Sequence, residues 1–95
     1  MAATVTLETF AAIVGDTFAV GDGEAVDLEL TEARALVADE NAPRPSFVLT
    51  FRGPGEPFLP QATYAFRHPT LEPLEIFIVP VARDADSSTY EATFA

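Results

Sequence analysis

The sequence predicts a mainly β, β-dominated α+β domain: a small six-stranded antiparallel barrel or sandwich with one short N-terminal helix. Three observations carry this. From residue 17 onward, apolar side chains recur every second residue. The alternating runs are short, and breaks rich in Gly, Pro and Asp separate them at roughly 8–15-residue spacing. Only the opening segment repeats at helical spacing. No helices alternate with the strands, which excludes a parallel α/β fold. A chain of 95 residues suits one domain, residues 1–95.

Residues 7–14 form the predicted helix. Leu7, Phe10, Ile13 and Val14 fall on one face. Thr6 is a suitable N-cap, and Glu8 places negative charge at the positive end of the helix dipole. Val5 and Phe10 have the spacing of a hydrophobic staple, and Gly15 supplies a left-handed cap. Two turns are marginal in isolation, so the stripe must dock on something.

The strands follow in order. Residues 17–20 place Phe18 and Val20 on one side. Gly21, Asp22, Gly23 and Glu24 make a turn, because glycine tolerates positive φ. Residues 25–32 alternate cleanly, with Val26, Leu28 and Leu30 inward and Asp27, Glu29 and Thr31 outward. The strand continues to Leu36 with a bulge expected near Ala33. Residues 37–45 form a loop, since prolines and acidic side chains interrupt any pattern. In residues 46–52, Phe47, Leu49 and Phe51 point inward. Residues 53–57 then break the strand, and Phe58, Leu59 and Pro60 tuck against the core. Residues 61–68 form the next strand, with Tyr64 and Phe66 on one face. Residues 69–73 turn the chain. Residues 74–82 are apolar on both faces, residues 84–88 form a polar turn, and residues 89–95 close with Tyr90, Ala92 and Phe94 alternating.

Several of these segments resemble a small uncharacterised bacterial domain family, a domain of unknown function. The matching pieces are Leu7-Glu8-Thr9-Phe10, Gly15-Asp16-Thr17-Phe18 and the run from Phe47 to Pro54. Residues 59–64, His68-Pro69-Thr70-Leu71, residues 76–80 and residues 90–94 continue the likeness. Ala62, Pro73 and Ala82 depart from it, because relatives are expected to carry Gly there. The resemblance transfers no activity and no catalytic residue. It implies a structural or accessory role beside phage-tail-collar-type proteins.

Composition narrows the function classes. The formal charge is −10 and the pI near 4.1. Such a charge repels phosphate, so nucleic acid and anionic membranes are excluded as partners. With 48% hydrophobic and 11% aromatic residues, the chain is no disordered acidic tail. The absence of cysteine removes disulfides, thiolate zinc sites and thiol catalysis together. No apolar run reaches the roughly 18–20 residues of a membrane span. The first residues carry no basic n-region and no apolar h-region. A cytoplasmic location is therefore expected, with release inside a larger particle as the variant.

No cofactor motif is present, and the candidate chemistry is sparse. His68 is the single histidine and would be the general base of any hydrolytic site. A backbone-bonded histidine at a strand end is the simpler explanation. Asp84, Asp86 and Ser88 open like a calcium loop. Thr89 and Ala95 then stand where that loop needs Gly and Glu, so Asp84 and Asp86 are weak metal candidates. Arg52 and Arg67 are expected in surface ion pairs of small consequence.

The sharpest feature is the strand at 74–82. Ile76 and Ile78 point one way, and Phe77, Val79 and Val81 the other. One set faces the core. The second is covered by the N-terminal helix, or it is exposed for a partner. Phe77, Val79, Val81 and Phe58 are accordingly the candidate partner-binding residues. Two functions remain in view. The first is a non-enzymatic protein-interaction or structural accessory module with a protein partner or a homo-oligomeric state. The alternative is a small ligand- or metal-binding domain with hydrolytic activity centred on His68.

Overall fold

A computed structural model describes residues 7–21, 25–35, 46–56 and 58–94. The Thr6 cap, the Val5 staple, Asp22–Glu24 of the glycine turn, Leu36, the 37–45 loop, Pro57 and Ala95 lie outside them. The elements are α1 (Leu7–Ala11), β1 (Thr17–Val20), β2 (Val26–Ala35), β3 (Phe47–Pro54), β4 (Ala62–His68), β5 (Leu71–Arg83) and β6 (Ser87–Phe94). The strands close into an antiparallel barrel in the order β1-β2-β3-β6-β5-β4. Of the two architectures predicted, the barrel is the one formed. β1 closes it: Ala19 and Val20 pair with Arg67 and Phe66 of β4 on one side, while β1 pairs with β2 on the other.

The core follows from strand parity. Phe18, Val20, Leu28, Leu30, Leu49, Phe51, Phe66, Ile78 and Tyr90 are fully buried side chains of the inner face. Each such burial contributes about 1.5–3 kcal/mol relative to exposure. Phe18, Phe51 and Phe66 meet at ring separations of 5.0–5.8 Å, two of the three pairs edge to face. Toward the other end of β3 and β6, Phe47 stacks on Phe94 at 4.8 Å, and Phe10 of α1 closes over both.

Four boundaries, among them β6 starting at Ser87 rather than at residue 89, and the position of one bulge differ from the sequence expectation. The helix stops at Ala11, not Val14. The chain tightens beyond it, with Ile13 N–H donating to Phe10 O and Asp16 N–H to Ile13 O. Gly15, at φ +100°, donates to Leu30 O of β2, which ties the helix exit to the barrel. Val14 is consequently 45% exposed rather than part of a docked stripe. β3 continues through Gly53 and Pro54, which pair with Ser88 and Ser87, where a break was expected. Gly53 is tolerated in the ladder because its missing side chain leaves room for Leu28 Cδ2. β5 starts at Leu71, since Leu71 already pairs with His68, so the turn contracts to Pro69 and Thr70. The β2 bulge falls between Leu30 and Glu32 rather than at Ala33, and Thr31 Oγ1 donates to Thr50 O there.

A larger correction concerns α1. The sequence offers this helix as one of two covers for the outer apolar row of β5. The helix packs instead on β2 and on the rings of Phe47 and Phe94. The helix thus seats on one end of the barrel and leaves the β5 row in the open.

Candidate interaction surface

β5 crosses the barrel wall with one row of side chains inside and one outside. Ile76 and Ile78 are 2% and 0% exposed, whereas Phe77 and Val81 are 51% and 50% exposed. Antiparallel sheets with one solvated face place polar residues there, so three successive outward apolar side chains are unusual. Pairing fixes their neighbours. Phe77 lies opposite Thr63 of β4, and Val79 opposite Glu91 of β6. Pro80 faces Tyr90, and a bulge between Pro80 and Ala82 follows. Pro80 has no N–H to offer a ladder, so a bulge beside it is where proline fits.

Two depressions mark this face. Phe77, Val79, Val81, Glu91 and Thr93 line a groove of about 280 Å³. Gly21, Thr63, Tyr64, Ala65 and Glu75 line a second of about 370 Å³. Thr63 of the second pairs with Phe77 of the first. Each depression carries one glutamate, and neither Glu75 nor Glu91 has an ion pair with another described residue. The described arginines are engaged elsewhere. Arg34 lies 3.6 Å from Glu32, Arg67 donates to Gly21 O, and Arg83 donates to Gly55 O. Arg52 reaches Ser87 Oγ at 3.5 Å.

Phe58 does not join this surface. Its ring lies 6.1 Å from that of Tyr90 and carries the Arg83 guanidinium 4.5 Å above it. Next to it, Leu59 N–H donates to Tyr90 OH at 3.0 Å. The 58–60 segment is thereby tacked to the core, as its apolar composition predicts.

Asp84 organises the β5–β6 hairpin. Its Oδ1 accepts the N–H groups of Asp86 and Ser87, each at 2.8 Å, and the Ser87 hydroxyl at 3.3 Å. The Asp86 amide, then that of Ser87, hold this carboxyl below the usual carboxylate range. Asp86 contributes its carbonyl to Gly55 N–H. Among the described residues no group of three His, Asp or Glu converges as a cation site.

His68 sits at the end of β4 against Phe18, rings 5.0 Å apart, with its side chain 4% exposed. Nδ1 accepts the Thr70 N–H at 3.1 Å, so Nε2 carries the proton and donates to Asp16 Oδ2 at 2.9 Å. Thr70 Oγ1 also lies 3.1 Å from Nδ1. The imidazole therefore ties the β4–β5 turn to the entry of β1.

Sequence reasoning missed Glu75, Glu91, Thr63 and Thr93 as the frame of the apolar row. Strand parity alone places Glu75 with Phe77, but the other three need the barrel register. It also missed Asp16 as the partner of His68, since nothing local links residues 52 positions apart. Ser88 is a further surprise. Its Oγ is buried with no hydrogen-bond partner among the described residues.

The family model of DUF6916, a domain of unknown function, matches residues 5–94. The chain belongs to the DUF6916 family. The DUF6916 match spans every element from α1 to β6 and includes the outer row of β5. No curated protein and no solved structure matches the chain. The DUF6916 description assigns no activity, so a function for the domain has to come from its own surface.

Proposed function

We propose that this DUF6916 domain is a non-enzymatic protein-interaction module, an accessory subunit of a multiprotein assembly, whose contact is the outer face of β5. The observation that carries the reading is the half-exposed pair Phe77 and Val81, with Val79 between them. Folding gains little from these side chains in that position. A partner that covered them would gain on the order of 1 kcal/mol from each. The resemblance of the chain to companions of phage-tail-collar-type proteins makes a bacterial phage-tail-like assembly the kind of complex proposed. The chain would then act in the cytoplasm or travel within the particle. No helix among the described residues is long and apolar enough to cross a membrane.

Affinity capture compares the wild-type chain with a Phe77→Ser/Val81→Ser variant. A discrete partner held by the wild type and lost by a variant of unchanged melting temperature supports the reading. Equal capture by both sinks it.

The alternative, a ligand- or metal-binding domain with hydrolytic activity at His68, has one observation in its favour. Asp16 and Thr70 put a carboxylate and a hydroxyl on opposite ring nitrogens. It weighs less, because the imidazole is almost fully covered and its Nδ1 lone pair already accepts a backbone N–H. Hydrolysis of a simple activated ester, abolished by His68→Gln and by Thr70→Val, is the result that would revive it.

A further inference from the structure

The chemistry around the apolar row says what kind of partner fits it. This step rests on the β5 face being a contact surface. Three features constrain the occupant.

The first is closure. Every strand of the barrel has a neighbour on each side, so no edge is free to add a partner strand through backbone hydrogen bonds. The face offers side chains instead, which suits an element whose own backbone is satisfied internally. That element is a helix.

The second is charge. Glu75 continues the apolar row beyond Phe77, and Glu91 stands beside Val79, one in each depression. All arginines of the described residues are engaged elsewhere, with Glu32, Ser87, Gly21 O and Gly55 O. Among the described residues no cation meets these two carboxylates, which suits a partner that brings its own. A second copy of this chain cannot supply cations readily. It would bring a like-charged face, and two bodies of charge −10, into contact.

The third is length. From Glu75 to Val81 the strand advances about 20 Å at roughly 3.3 Å per residue. A helix covers that distance with about 13 residues at 1.5 Å each. Acidic side chains also stand on the far side of the barrel, at Asp27 and Glu29 of β2, but with no apolar row between them. Only the β5 face, among the described strands, joins a row of large exposed apolar side chains to unpaired carboxylates.

We infer that the face formed by Glu75, Phe77, Val79, Val81 and Glu91 receives a basic amphipathic helix of a different protein. Its apolar stripe would lie along Phe77, Val79 and Val81, with one Lys or Arg near its end meeting Glu75 and another on its flank meeting Glu91.

The test uses the full chain, isotope-labelled, titrated at physiological salt with three synthetic peptides. One is an 18-residue amphipathic helix of Leu and Lys. The second replaces each Lys by Glu. The third alternates Val and Lys and is strand-forming. We expect saturable binding of the Leu/Lys helix alone, with amide shifts confined to β5, Glu91 and Thr93. Phe77→Ser should weaken it about tenfold or more, and Glu91→Gln about two- to fivefold. Shifts scattered over Asp27, Glu29 and the rest of the acidic surface, unaffected by Phe77→Ser, would overturn the inference as mere charge attraction. Preference for the alternating peptide, or a dimer lost on Phe77→Ser, would overturn the helix while leaving the contact face in place. Binding of no peptide, together with full capture of a natural partner by Phe77→Ser, would overturn both.

Discussion

The two rows of β5 carry the same kind of side chain and meet opposite fates. Ile76 and Ile78 are sealed in the core, while Phe77 and Val81 stand half in water one residue away. Parity decides which row goes inside, and barrel closure leaves nothing of the described chain to cover the other. The inner row is explained by folding. The outer row is not, and that asymmetry locates the proposed function.

The comparison is broken most directly by stability measurements on its two sides. Ile78→Ala removes fully buried atoms and leaves a cavity, so urea unfolding should show a loss of about 2–5 kcal/mol. Phe77→Ser changes an exposed position and should stay within about 0.5 kcal/mol of wild type. A comparable loss from both would mean that Phe77 is part of the fold's own packing.

Gly53→Ala sharpens the inner side. A Cβ there would run into Leu28 Cδ2, and Leu28 is fully enclosed. The added methyl should cost about 1–3 kcal/mol in the same assay. Ser88→Ala goes the other way. It removes a buried hydroxyl that has no partner among the described residues. Stability should hold or rise, by at most about 1 kcal/mol. A clear loss would reveal a partner for that hydroxyl.

The smallest effect is on pH dependence, at the hairpin that joins the two strands of the groove. The amides of Asp86 and Ser87 hold the Asp84 carboxyl below its ordinary value of 3.8. Its folded form therefore favours the carboxylate, and the resulting stability is present above that ordinary value. It is lost as pH falls through the lower, folded value. Protection of the Asp86 and Ser87 amides, taken as exchange relative to the intrinsic rate at each pH, should fall in that acidic window and hold constant between pH 5 and 7. Asp84→Asn should flatten the dependence.

Much of the fold was legible because burial here obeys a period of two. Val26, Leu28 and Leu30 alternate against Asp27 and Glu29, and Phe47, Leu49 and Phe51 are buried at the same spacing, although Val48 between the first two is buried as well. What misled was punctuation. Gly53 and Pro54 read as a break, yet they pair with β6, because Leu28 fills the space left by the missing Gly53 side chain and Pro54 stands on the last rung of β3. Val14 matched the helical stripe, but Gly15 diverts the chain to Leu30 O first. At the surface, the apolar row was readable from residues 76–81 alone. Its frame was not, since Thr63, Glu91 and Thr93 reach it only through strand register. Phe58 shared the composition of a contact residue, but it is committed to Tyr90 and Arg83.

The central claim is that the outer row of β5 meets a partner. It is tested most directly by placing a photo-crosslinking side chain at position 77, and in a separate variant at position 27, in cells that make the protein. The account predicts one discrete adduct from position 77 and none from position 27. No adduct at 77, or the same adducts from both positions, would contradict it.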